Sequence, residues 1–175
     1  MTRFLGILSA TAVMLFVFAM PAAADTKVVV KKTHICCPRC EKVVGDVLKK
    51  AGVEGSASKD DGSIQFTAKD DPAAQKVLDE LAAAGFHGTV DHEKLKIKDD
   101  SGAKAGKVTS LKVKGLHNCC GQCNTAIKKA VKAVAGVESD DAKVNSAEMT
   151  VQGSFDAAEL IKALNAAGFH AKVAE

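Results

Sequence analysis

One unit is written twice in this chain, and that repetition limits what it can fold into. HICCPRC begins at His34 and HNCCGQC at His117, while AAGFHGTV begins at Ala83 and AAGFHAKV at Ala166; both pairs lie 83 positions apart. Between these anchors AGVEGS at Ala51 answers AGVESD at Ala135, 84 positions apart, so the copies differ by one compensated residue. A total of 175 residues then divides into two small domains rather than one ordinary one. The expected layout is residues 25–91 for the first copy, a linker at 92–106, and 107–175 for the second. The linker (DHEKLKIKDDSGAKAG, from Asp91) is rich in Lys, Asp and Gly and reads as a solvated spacer.

Each copy carries the same order of elements. Lys27–Lys31 (KVVVK) and Thr109–Lys114 (TSLKVK) read as first strands. The cysteine clusters follow. Helical spacing then appears at Val43, Val44, Val47, Leu48 and Ala51, and again at Ile127, Val131 and Val134. Gly52 and Gly136 stop these helices. Ser63–Thr67 and Glu148–Gln152 alternate as strands, each preceded by a shorter one. Asp71 is the expected cap of a second helix with Pro72 at its first position, and Val77, Leu78, Leu81 and Ala84 line one face. Ser154 and Phe155 hold the matching start in the second copy. Gly85 and Gly168 end these helices, and a last short strand follows. The order βαββαβ predicts an α+β chain of two tandem ferredoxin-like sandwiches.

The N-terminus reads as a targeting segment. Arg3 precedes an apolar run from Leu5 to Met20, followed by Pro21 and three alanines, so residues 1–24 are expected to be a signal peptide cut after Ala24. A periplasmic or secreted protein with no membrane association after cleavage is the expectation. Lys and Arg total 24 against 21 acids, interleaved, which argues against nucleic acid as a partner. Aromatics are only 4 %, with no Trp and no Tyr, so stacking on bases or sugars is not expected. The lysines of the first helices (Lys42, Lys49, Lys50; Lys128, Lys129, Lys132) read as a solvated face.

All six cysteines sit in the two clusters: Cys36, Cys37 and Cys40, then Cys119, Cys120 and Cys123. Residues three apart at a helix start point the same way, and the positive helix end lowers a thiolate pKa. Such a pair grips soft ions: Cu(I) or Zn(II) first, with Hg(II) and Cd(II) also admitted. A disulfide framework leaves one thiol over in each copy, and a bond between adjacent cysteines is strained. A Cys37–Cys40 disulfide stays open as an alternative. His34 and His117 lie in the cysteine loops and are candidate ligands. His87 and His170 recur before the last strands, at the same end of a βαββαβ fold, and are further candidates. His92 is unmatched and receives no role.

The two copies, and the second most clearly (VKGLHNCCGQCNTAIKKAVKAVAGVES, then ALNAAGFHAKV), resemble tandem heavy-metal-associated domains. That family includes copper chaperones, metal-binding domains of metal-pumping ATPases and exported mercury-binding proteins. The resemblance implies soft-metal binding by Cys37 with Cys40 and by Cys120 with Cys123. The family's core-packing Met is absent: Gly115-Leu116 matches Gly-Met with a longer loop, or else Ile35 and Asn118 stand in its place. Each loop also adds a Cys and a His, so a third thiolate from Cys36 or Cys119 raises the expected coordination number above two.

The expected function is a non-enzymatic module for metal ion transport or buffering. It sequesters copper, zinc or mercury, or hands the ion by thiolate exchange to a metal-transporting protein or another metal-binding domain. Each copy is expected to fold alone and hold its own metal. A thiol–disulfide enzyme using the same cysteines is the alternative, but the chain lacks the βαβ setting of a thioredoxin-like motif. A protein whose cysteines merely bridge chains is the third.

Overall fold

A computed structural model describes residues 25–174. The expected signal peptide, residues 1–24, lies outside them. In chain order the elements are β1 (Thr26–Lys31), α1 (Pro38–Lys50), β2 (Glu54–Ser58), β3 (Ser63–Ala68), α2 (Asp71–Ala83), β4 (Thr89–Val90), β5 (Lys107–Lys114), α3 (Gly121–Lys132), β6 (Val137–Asp140), β7 (Met149–Asp156), α4 (Ala157–Ala166) and β8 (Lys172–Val173). They form two antiparallel sheets of order β2-β3-β1-β4 and β6-β7-β5-β8, each covered by two helices. The chain is α+β, with two ferredoxin-like βαββαβ units.

Alternation builds the first sheet: Val28 and Val30 of β1 and Ile64 and Phe66 of β3 point inward, while Lys27 and Gln65 face water. The helices present stripes with a four-residue step, Cys40-Val44-Leu48 on α1 and Cys123-Ile127-Val131 on α3, all buried. In each stripe the cysteine is the first core residue.

Three expectations shift. The cap of α2 is Asp70, not Asp71: its carboxylate accepts from the Ala73 N–H at 2.7 Å, and Pro72 is the second helical residue. The second copy's matching cap is Asp156, accepting from Ala158 and Glu159, so Ser154 and Phe155 are still strand. The stretch read as a solvated spacer is docked. Leu95 is buried and Ile97 packs on the core, because the alternation in Leu-Lys-Ile-Lys turns one face inward. The Gln75 amide donates to the Lys96 carbonyl at 2.9 Å, and Ser101 accepts the Val173 N–H at 2.8 Å. The segment is thus tied to both units. Among the described residues no helix is long and apolar enough to cross a membrane.

Candidate metal centre

Cys37 and Cys120 are the N-caps of α1 and α3, in extended backbone (φ −158° and −154°), and neither caps its helix with a side-chain hydrogen bond. A Ser or Asp there would accept from the first turn. A thiol leaves its sulfur free and the positive helix end facing it. One turn on, Cys40 and Cys123 are fully buried, with sulfurs 3.6 and 3.7 Å from those of their caps.

The other repeated motif joins the copies. Phe86 and Phe169 form an antiparallel bridge, flanked by His87 N–H to Gly168 O (3.1 Å) and His170 N–H to Gly85 O (3.0 Å). Rings cross the junction in both directions: His34 stacks on Phe169 at 4.5 Å, and Phe86 meets His117 at 4.4 Å. Gly85 and Gly168 sit at φ +89° and +87°, where a Cβ would strike the backbone nitrogens of His117 and His34 of the opposite copy. Only glycine permits both the left-handed turn and that approach.

This junction brings the cysteine loops face to face. Cys36 Sγ lies 3.5 Å from Cys120 Sγ and 3.4 Å from Cys123 Sγ. Cys119 mirrors it, 3.9 Å from Cys37 and 3.6 Å from Cys40, and Cys40 lies 4.0 Å from Cys123. The sequence predicts a site in each copy; in the structure six free thiols form one cluster between the copies. Cys36 and Cys119 each lie 3.8 Å from the buried cysteine of their own copy, Cys40 and Cys123, and also reach across to the opposite copy. A ring nitrogen of His117 lies within 4.8 Å of the sulfurs of Cys40, Cys119 and Cys123, and one of His34 does the same for Cys36 and Cys123. Nε2 of both histidines is buried without a hydrogen-bond partner.

Charge is unevenly held in the cluster. The Cys40 thiol lies far below its ordinary value, chiefly because Cys123 donates to it; Cys123 is pushed up for the same reason. Burial pushes Cys36 up and drives Cys119 to about 12. Burial also opposes the Cys120 thiolate, but the Cys123 N–H and the Cys36 thiol outweigh it and bring Cys120 to about 7. His34 is lowered, first by burial. The lowered values of Cys40 and Cys120 favour the thiolate, the form that binds a soft metal.

His87 and His170 lie at the junction instead, stacked at 5.9 Å. His170 Nε2 pairs with Asp100 Oδ1 at 2.7 Å, and Lys172 pairs with the same carboxylate. Neither imidazole joins a group of ligand atoms with the cysteines among the described residues. One contact had no sequence signal: Arg39 Nη1 donates to Cys119 O (2.7 Å) and Asn145 Oδ1 (3.1 Å), crossing the rim of the cluster. In place of the missing Met, Ile35 and Leu116 fill the core, while buried Asn118 donates to Asn124 Oδ1 and Lys143 O.

No curated protein sequence matches the chain. Among solved structures it is similar to oxidized MerP from Ralstonia metallidurans CH34 (25 % identity, TM-score 0.33, 40 % of this chain and 100 % of that one). It is also similar to the apo form of the heavy-metal-associated domain of the copper chaperone for superoxide dismutase (20 %, 0.35, 49 % and 85 %). The N-terminal soluble domains of Bacillus subtilis CopA match over 87 % of this chain and 95 % of theirs, at 14 % identity and TM-score 0.32. Residues 110–170, within the second copy, match the heavy-metal-associated domain family.

Proposed function

We propose that this protein binds soft metal ions at the junction of its two copies, sequestering them or handing them on by thiolate exchange. The observation that carries the reading is the convergence of six sulfurs from two chain segments into one cluster. Cys37, Cys40, Cys120 and Cys123 are the core ligands. Cys36 and Cys119 complete the thiolate set, and His34 and His117 stand beside it. An all-sulfur set selects Cu(I), Hg(II), Cd(II) or Zn(II) over hard cations. The first copy acts as a second heavy-metal-associated domain. The match at residues 110–170 supports metal binding rather than catalysis.

The setting we propose is outside the cytoplasm, in a periplasm or the medium, after cleavage behind Ala24; the leader pattern supports it. A metal-transporting protein or another metal-binding domain is the proposed donor or acceptor. Anaerobic purification followed by elemental analysis and thiol counting tests the reading. Bound soft metal with all six thiols masked is expected. A chain with all six cysteines replaced by serine that retained the metal would defeat it. Mass spectrometry of the exported chain should find Asp25 at its start.

A further inference from the structure

The six sulfurs mark out a distorted octahedron. Cys36 stands opposite Cys119, Cys37 opposite Cys123, and Cys40 opposite Cys120. The measured edges run from 3.4 to 4.0 Å. The edges Cys36–Cys37, Cys119–Cys120 and Cys37–Cys120 fall within 4.8 Å. An octahedron of sulfurs contains no tetrahedral hole, so no four of the thiolates give Zn(II) its tetrahedral corners; the mixed set of Cys40, Cys119 and Cys123 with His117 uses only three of the six sulfurs. At the measured edges the octahedron's centre lies about 2.6 Å from each sulfur, beyond a metal–thiolate bond of about 2.3 Å. Its faces do fit: three sulfurs 3.4 to 4.0 Å apart place a face centre about 2.0 to 2.3 Å from each, close to that bond length.

We propose, resting on the soft-metal reading above, that the cage holds four Cu(I) ions as one cluster, one ion on each of four alternate faces. One such set is Cys36/Cys37/Cys40, Cys36/Cys120/Cys123, Cys40/Cys119/Cys123 and Cys37/Cys119/Cys120. Two of these triangles have edges of 3.4, 3.5 and 3.7 Å and of 3.6, 3.8 and 4.0 Å. The other two lie within 4.8 Å. Every sulfur bridges two ions and every ion has three sulfurs, so no thiolate is left over. This gives both extra cysteines a task that a two-thiolate site does not.

Charge selects the ion. Six thiols release six protons, and four monovalent ions on six thiolates leave two negative charges. The N-termini of α1 and α3, each equivalent to roughly half a positive charge, face the cage and offset part of this. Four divalent ions would instead leave two positive charges against the same helix ends. No redox step is involved.

The test is anaerobic titration of the full mature chain with Cu(I) supplied as its acetonitrile complex. It is read by native mass spectrometry and copper X-ray absorption. The expected result is all-or-none loading: at half saturation the metal-free and four-copper monomers dominate, each copper sees three sulfurs, and copper–copper scattering is present. Cys36→Ser with Cys119→Ser should drop the stoichiometry to two or fewer and abolish the scattering, while the circular dichroism spectrum stays unchanged as a check on folding. One or two coppers per chain, each with two sulfurs and added independently, would overturn the cluster and leave the soft-metal reading standing. No copper, mercury or cadmium retained at all would sink both.

Discussion

The two cysteine loops are near copies, yet they are built differently around the same sulfurs. The first reads His-Ile-Cys-Cys-Pro-Arg-Cys, the second His-Asn-Cys-Cys-Gly-Gln-Cys. In the first, Ile35 anchors the loop by apolar burial, Pro38 stiffens the start of α1, and Arg39 reaches over the junction to the Cys119 carbonyl. In the second, Asn118 anchors the loop through hydrogen bonds to Asn124 and Lys143, and Gly121 and Gln122 leave the helix start bare. The sheets differ too: the second carries register shifts at Val108/Ser110 and Val137/Ser139 that the first lacks. Cysteine placement is matched while its supports have diverged. The demand common to both copies is therefore the meeting of the sulfurs, with the first loop as the clamp and the second as the more open rim.

The largest expected effect comes from the two phenylalanines bridged through their backbones at the junction. Phe86 and Phe169 are buried to 1 % and 0 % exposure. Phe169→Ala should cost about 3–5 kcal/mol, as large-to-small core changes do. If the copies act as one unit, chemical denaturation will show a single transition moved as a whole. Two separate transitions, with only the second copy's moved, would mean the copies stand independently.

Next in size is Gly168→Ala, with Gly85→Ala as its counterpart. Both positions need a left-handed backbone, which costs an alanine about 1–2 kcal/mol. Both also abut the opposite copy's loop. Gly52→Ala is the control: φ is +70° and nothing lies within 4 Å of its Cβ position. All three should lose similar stability from the turn. Only the junction variants should also expose the His87 and His170 amides to hydrogen exchange and split the thiol cluster. Equal exchange in all three variants would show that these glycines serve only their own helices.

The βαββαβ order was legible because its signals are local. Alternation in KVVVK and SIQFT, and the four-residue step from Cys40 to Leu48, each need only a short window. The cysteine positions at two helix starts were legible for the same reason. Their convergence was not. It depends on Phe86 meeting Phe169 across 83 positions of chain, and each Gly-Phe-His was already accounted for as a helix stop followed by a strand. The surplus signal was there: a helix stop needs the glycine but not an identical Phe-His after it. The docking of the linker is not legible in the sequence, because Leu95 and Ile97 are too few to outweigh the surrounding charges. Asp70 and Asp71 both precede Pro72, and only backbone geometry decides which one caps.

A smaller effect should separate the two loops. Arg39→Ala removes an exposed cation's hydrogen bonds to Cys119 O and Asn145 and should cost about 0.5–1.5 kcal/mol. Gln122→Ala, at the corresponding helix position, should cost nothing measurable. The sharper readout is kinetic: with the clamp gone, metal transfer from the loaded protein to a competing chelator should speed up in the Arg39 variant alone. Matching rates in the two variants would mean the loops are equivalent and the open-rim reading is wrong.

The smallest effect is one of pH, and it probes the junction from the side away from the sulfurs. His87 sits in the bridge, its pKa lowered from 6.5, first by burial and then by the stacked His170, with Asp99 opposing. A folded value below the unfolded one means the unfolded chain takes up the proton first, so stability rises with pH across that interval. The contribution is fully present above 6.5 and is lost as pH falls from 6.5 through the lowered folded value. Asp99 and Asp100 also have lowered values, but from 3.8, so their window begins lower. Urea denaturation of the metal-free chain at several pH values should therefore show a decline beginning just below 6.5. His87→Gln, which keeps the backbone bond to Gly168, should flatten that decline without removing the later acid limb. Because His34 is lowered by burial as well, some slope should survive in the His87 variant. An unchanged slope in that variant would place the pH sensitivity wholly in the cysteine loops and leave the bridge a passive hinge.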